Sequence, residues 1–276
     1  MKQNQSNHPL NSREYKIMLV PREFKNIEKG IERILDIVHL QLDSYAQLMK
    51  DTQERERKRT WFVDTADFDL FKNHKFIVRM RQGLGTGEIE TTLKCRHPDR
   101  YISASQDLGS KKNMQVKFEE DISVPFRSQF SQSATFKNKI VPDLDKFRKL
   151  RHFFPKIKLT DIDDNASLKK VNNFEPTEAS YKIGSIKFTE KNSIELYLNL
   201  WYLGLAKKST SPLIVELTFN CQAKKLPGIN KNRLEEFSIP LLKETNNFYL
   251  LLQENEMADR TTTKTKTEFA YTYKAD

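Results

Sequence analysis

The 276-residue chain has little cysteine, little glycine and no long apolar run. Its two cysteines, Cys95 and Cys221, are too few for a disulfide framework, and two buried reduced thiols are expected instead. Eight glycines, none gathered into a phosphate loop, argue against a P-loop or a dinucleotide fold. No stretch reaches the roughly 18 consecutive apolar residues of a membrane helix, so no membrane partner is expected. The opening segment MKQNQSNHPLNSREYK has no apolar signal-peptide core, which makes a cytoplasmic chain the expectation. The histidines at 8, 39, 74, 97 and 152 lack metal-ligand spacing, and no Ser, Cys and His set forms a nucleophile pair.

What the chain does have is charge and aromatic mass. Charged residues make up 30%, and 18 Phe, 9 Tyr and 2 Trp suffice for a real core, which excludes global disorder. Lys and Arg number 47 against 37 Asp and Glu, a net +10. A basic balance calls for an anionic partner such as nucleic acid or a phosphate-rich small molecule. Composition does not choose between them, but the placement of the charges does.

Along the chain, residues 1–11 and 253–276 read as disordered or weakly ordered tails, leaving one domain over 12–252. Apolar residues every three or four positions predict a long helix from Arg22 to about Arg59, ending in the charge run ERERKR. Further helices are expected over Leu144–Phe154 and within Arg233–Glu254. Most of the rest alternates. In 75–81, Lys75, Arg79 and Arg81 oppose Phe76, Val78 and Met80; in 88–96, Glu90, Lys94 and Arg96 oppose Ile89, Leu93 and Cys95. Stretches 12–19, 114–122, 183–189, 193–200 and 213–220 alternate likewise, and with a short strand at 61–65 this makes about eight strands.

Such alternation ordinarily means an antiparallel sheet with one wet face. Here the polar faces are dense in both signs, and the amphipathic helices need an apolar sheet surface to cover. A sheet closed into a barrel, with the helices outside, would turn the charged faces inward. About eight strands leave room for side chains or one small ligand.

The residues on these faces resemble a known family. REYKIML at 13–19 resembles the Glu-x-Glu-x-Lys first strand of the CYTH superfamily, the triphosphate tunnel metalloenzymes. WFVDTADFDLFKNHKFIVRMR at 61–81 is similar to that family's Asp-Thr-x-Asp segment with Arg-x-Arg, and ETTLKCRHPD at 90–99 is similar to its Leu-Thr-Leu-Lys strand. KFEED at 117–121, SIELYLNLWYLG at 193–204 and PLIVELTFN at 212–220 follow in the expected order, so the resemblance spans roughly 12–252.

The resemblance implies an α+β fold, a closed eight-stranded antiparallel tunnel with helices outside. It also implies metal-dependent hydrolysis of inorganic triphosphate, thiamine triphosphate or a nucleotide. Lys16, Arg79, Arg81 and Lys94, with Lys187 as a weaker match, would bind phosphate. Glu14, Glu119 and Glu216 would hold Mg²⁺ or Mn²⁺, and Glu14 would join the four cations in catalysis. Ser12, Asn199 and Thr218 stand where the pattern has carboxylates, so the metal-holding half is depleted and weak metal affinity is expected. The rival readings are a polyphosphate-binding module that turns nothing over, and an RNA triphosphatase or nucleic-acid binder using ERERKR and the Lys pairs at 111–112, 207–208 and 224–225.

Overall fold

The computed structural model describes residues 9–42, 46–108, 113–204, 211–223 and 237–274. The Lys pairs at 111–112, 207–208 and 224–225 and residues 1–8 of the N-terminal stretch lie outside these. In chain order the strands are β1 (Ser12–Leu19), β2 (Gln47–Asp64), β3 (Phe76–Gly83), β4 (Ile89–His97), β5 (Gln115–Ser123), β6 (Arg127–Asn138), β7 (Lys169–Lys170), β8 (Thr177–Thr189), β9 (Asn192–Tyr202) and β10 (Ile214–Gln222). The helices are α1 (Ile27–Leu40), α2 (Asp69–Lys72), α3 (Arg100–Ala104), α4 (Phe147–Phe153), α5 (Ile239–Leu252) and α6 (Lys266–Thr272). None of them is long and apolar enough to cross a membrane.

Pairing runs β3-β4-β6-β5-β1-β10-β9-β8-β2 and returns to β3 through β2, so nine strands form a hydrogen-bonded ring while β7 adds a short flap to β2. The count is one more than expected, and it has a consequence. Strand directions cannot alternate all the way round a ring with an odd number of strands. One neighbouring pair must run parallel, and that pair is β1–β5. The ring is therefore not wholly antiparallel.

The largest departure from expectation concerns residues 41–59. Asn26 caps α1, its side chain accepting from Lys29 N at 3.0 Å, but the helix ends at Leu40. The following ERERKR run is strand. β2 pairs with β8 along 47–59 and with β3 along 58–63, and two register shifts let it bend between them. Helical spacing at Leu42 and Leu48 suited either structure locally, Tyr45 between them lying outside the described residues; from Gln47 onward the strand partners decided it. Where the second partner is absent, β2 shows charged, exposed residues, as an edge should. β8 approaches closely here, since a Cβ on Gly184 would lie 2.6 Å from Met49 O.

Alternation sends most of the strands' apolar residues to the outside of the ring, while Phe62, Ile77 and Trp201 line its interior. Tyr15, Ile17 and Leu19 of β1 pack with Ile31, Ile34 and Val38 of α1 and Phe248 and Tyr249 of α5. Val78 and Met80 of β3 and Leu93 of β4 pack with Phe147 and Leu150 of α4.

The C-terminal stretch is not a trailing tail. A capping box between Thr265 and Glu268 starts α6, and Tyr271 is buried in an aromatic cluster with Phe62, Phe174 and Trp201. Its ring stacks on Phe71 at 4.1 Å and meets Phe68 edge-on. The apolar run Phe269–Ala270–Tyr271 is too short to show periodicity, and it matters only because those partner rings already sit together.

Candidate functional site

The inward faces of eight strands and the start of α6 line a cavity of about 370 Å³. Seven of the sequence-predicted residues meet there: Glu14, Lys16, Arg79, Arg81, Lys94, Glu119 and Glu216. They come from β1, β3, β4, β5 and β10, and register explains their levels. Arg79 faces Thr92 across the β3–β4 ladder and Arg81 faces Glu90. Lys187 is not among the lining residues; it pairs with Glu190 at 2.8 Å near the β8–β9 turn. It shares the parity of the inward face but lies too far along β8, which one-dimensional alternation does not reveal.

A larger cavity, about 570 Å³, lies outside the ring between α1 and β2–β8, lined by Ile27, Ile31, Leu35, Tyr181 and Tyr202. It has no comparable cation cluster. The smaller cavity is the candidate site because of its chemistry.

Asp121 organises one part of it. Its carboxylate is 2.8 Å from Lys16 Nζ, 3.0 Å from Lys94 Nζ and 3.1 Å from Arg96 Nη2, with side-chain exposures of only 7% for Asp121 and 15–16% for the cations. Burial alone would raise the Asp121 pKa, but the three cations hold it well below the usual carboxylate range. Lys16 and Lys94 share this carboxylate and shift in opposite directions. Burial lowers both; Lys16 is carried upward by Asp121, Glu14 and Glu216, whereas Lys94, facing Arg96 and Lys16, is pushed down to about 8.

Arg79 and Arg81 form a second group. Each Nε is buried and has no hydrogen-bond partner among the described residues. Burial and the neighbouring Arg81 push Arg79 down to about 9 against the weaker attraction of Glu178, Glu90 and Glu14. Two arginines on one strand face, two residues apart and with unused Nε donors, are poised for an anion.

The carboxylates expected to hold a metal are otherwise engaged. Glu14 pairs with Lys16 at 2.9 Å, Glu119 accepts from Ser12 Oγ at 2.9 Å, and Glu216 pairs with Lys266 at 2.8 Å. Among the described residues no group of three or more His, Cys, Asp or Glu is placed to hold a metal ion. Ser180 Oγ donates to Asn199 Oδ1 at 2.8 Å, and Asn199 Nδ2 reaches Thr218 Oγ1 at 3.4 Å. That uncharged chain crosses β8, β9 and β10 where carboxylates would be needed. The donor set does not fit Mg²⁺ or Mn²⁺.

Sequence reasoning missed three lining residues. Arg96 shares the charged strand face of Lys94 but was given no role in the site, and it is held by Asp121. Glu178 on β8 accepts from Trp201 Nε1 at 2.7 Å, and Lys266 of α6 pairs with it at 3.0 Å. The signal for Lys266 was present as Thr265-Lys-Thr-Glu268 ahead of an aromatic run, a capping-box pattern that marks a helix start. Of the stretch from Asp64-Thr65-x-Asp67 to Arg79-x-Arg81, the arginines line the cavity and the Asp64-Thr65-x-Asp67 segment does not. Asp64 is buried, accepts from the amides of Thr65, Leu70 and Phe71, and receives the Tyr271 hydroxyl at 2.9 Å.

No family model matches the chain, and no curated protein matches it. Among solved structures it is similar to the putative adenylyl cyclase HpAC1 from Hippeastrum, described as having a dominant triphosphatase activity. That likeness is 13% identity and TM-score 0.40 over 75% of this chain and 78% of that one. It is also similar to the PH1012 protein from Pyrococcus horikoshii OT3, at 12% identity and TM-score 0.32 over 91% of this chain and 96% of that one.

Proposed function

We propose that the cavity binds a triphosphate-bearing anion and that the chain is a divergent triphosphate tunnel protein of the CYTH type. The observation that carries this is the Arg79–Arg81 pair, half-buried and cationic, each with a buried Nε that has no hydrogen-bond partner among the described residues, in a space of about 370 Å³ that suits one small ligand. Lys16, Lys94 and Arg96 lie in the same cavity and supply the cations for further phosphate oxygens. Phosphate favours such a site because planar guanidiniums bind it in a bidentate manner and lysines serve as point charges.

Metal-dependent hydrolysis is the stronger form of this reading. It rests on Glu14, Glu119 and Glu216 lining the same cavity, but their engagement with Lys16, Ser12 and Lys266 makes binding the better supported part. In turnover the cations would neutralise charge on the transferred phosphoryl group. RNA recognition through ERERKR has less support: Arg57 pairs with Glu54, Lys58 with Glu56 and Glu90, and Arg59 with Glu175.

Isothermal titration of inorganic triphosphate into the wild type and the Arg79→Ala/Arg81→Ala variant tests the reading. Charged hydrogen bonds contribute about 1.5–3 kcal/mol each, so losing both side chains should weaken binding by more than about 100-fold. Equal binding by the double variant would move the site elsewhere. A phosphate-release panel with triphosphate, ATP, thiamine triphosphate and triphosphate-ended RNA, with Mg²⁺, Mn²⁺ or neither, separates binding from turnover.

A further inference from the structure

Two buried carboxylates of the cavity wall, Glu178 and Glu216, converge on one cation that is part of the protein. Lys266 Nζ lies 3.0 Å from Glu178 Oε2 and 2.8 Å from Glu216 Oε1. Exposure of the three side chains is 17%, 8% and 5%, so the ammonium is largely withdrawn from water. It also sits 5.8 Å from the centroid of the Trp201 ring, whose Nε1 donates to the same Glu178 carboxylate. Burial acts against the charged ammonium, but the attraction of Glu178 and Glu216 outweighs it and raises the Lys266 pKa. Glu178 is held well below the ordinary carboxylate range: burial opposes this, and Lys266 and then Arg81 overcome it. Lys266 and Glu178 are therefore charged together.

The placement is deliberate in its backbone. A lysine in the first turn of a helix runs against the helix dipole, which favours anions there. This one is compensated by carboxylates from β8 and β10, far away in sequence. The segment delivering it is fixed at both ends. Thr265 and Glu268 cap the helix reciprocally, with Thr265 N donating to Glu268 Oε2 at 2.7 Å. Tyr271 is tied to Asp64, and Asn172 Nδ2 donates to Ala270 O at 2.9 Å.

We propose that Lys266 is a built-in cation standing between Glu178 and Glu216 in place of a divalent ion, so that the cavity takes its anion without metal. Its consequence for phosphate rests on the triphosphate-binding reading, whereas its consequence for metal does not. With the ammonium present, a divalent cation meets an occupied and partly neutralised carboxylate pair. With it gone, two buried carboxylates lose the cation that is paired with both of them, and oxygen-preferring Mn²⁺ is the natural replacement.

The test uses the full-length protein and two kinds of titration. Mn²⁺ alone is titrated into the wild type, Lys266→Met, which keeps bulk without charge, and Lys266→Ala. The wild type should show no binding at the pair, while at least one variant should gain Mn²⁺ affinity by roughly tenfold or more. Adding Glu216→Gln should abolish the gain. Inorganic triphosphate is then titrated into the wild type with EDTA present and, separately, into Lys266→Ala with and without Mn²⁺. Wild-type affinity in EDTA should be unimpaired, and the Lys266→Ala variant should lose roughly tenfold and recover with Mn²⁺. The proposal is overturned if wild-type Mn²⁺ binding depends on Glu216, if wild-type triphosphate binding requires metal, or if folded Lys266 variants gain no Mn²⁺ site. Should both variants fail to fold, the wild-type titrations in EDTA and with Glu216→Gln still decide it. Absence of any triphosphate binding by the wild type would sink the triphosphate reading, leaving the Mn²⁺ arm to judge Lys266.

Discussion

The two cation groups of the cavity differ in what neutralises them. Lys16, Lys94 and Arg96 surround Asp121 and are paired within the protein. Arg79 and Arg81 have buried Nε donors with no hydrogen-bond partner among the described residues. The first group stabilises the fold before any ligand arrives, and an anion must compete with Asp121 for it. The second carries unrelieved repulsion that an anion would remove. A cavity rich in both signs can therefore be closed to an anion in one part and open to it in another.

The strongest way to break this contrast is Asp121→Asn, which strips the first group of its counter-charge. Leaving buried charges unpaired costs about 3–5 kcal/mol, so the melting temperature should fall, and added triphosphate should recover more of it than in the wild type. Thermal melts with and without triphosphate read both effects; an unchanged melting temperature would mean that Asp121 does not hold the group together. Next in size is a matched pair of truncations. Arg79→Met should cost about 1.5–3 kcal/mol of triphosphate binding, and Lys94→Met less, because Lys94 exchanges one carboxylate for another anion. Calorimetry giving the reverse order would invert the assignment of open and closed groups.

A smaller effect concerns protons. Lys94 is pushed down to about 8, chiefly by burial, so it loses its proton as pH rises through that value. An adjacent anion favours the charged form and lifts the pKa, so triphosphate binding at pH 8 should take up protons and weaken several-fold between about pH 7 and 9. Titration in buffers of unlike ionisation enthalpy measures the uptake, and Lys94→Arg should remove it. The smallest expected effect is that of Lys187→Ala, which should leave triphosphate affinity unchanged because Lys187 pairs with Glu190 outside the cavity. A measurable loss would extend the site toward the β8–β9 turn.

Much of the site was legible because alternation in a strand assigns a face without reference to any partner. Glu14 with Lys16, Arg79 with Arg81, and Lys94 with Arg96 each share a strand face by parity, and all six line the cavity. Parity says nothing about how far along the strand the cavity extends, which is why Lys187 was included. It is equally silent on partnership, so Glu119 and Glu216 were expected to hold metal when one is bonded to Ser12 and the other paired with Lys266. The Asp64 motif was identified, but its place as an anchor for Tyr271 depends on a contact between residues 64 and 271.

The sequence by itself determined which residues face outward under the helices and which cations face in, because those choices follow from a two-residue period and from burial of apolar surface. Only the tertiary structure decided that residues 47–59 are strand, that the ring holds nine strands with one forced parallel pair, and that Lys266 reaches Glu178 and Glu216. Each of these depends on a partner distant in the chain. Hydrogen-bond ladders and buried charge pairs are made between elements, so their outcome is not written in any local stretch.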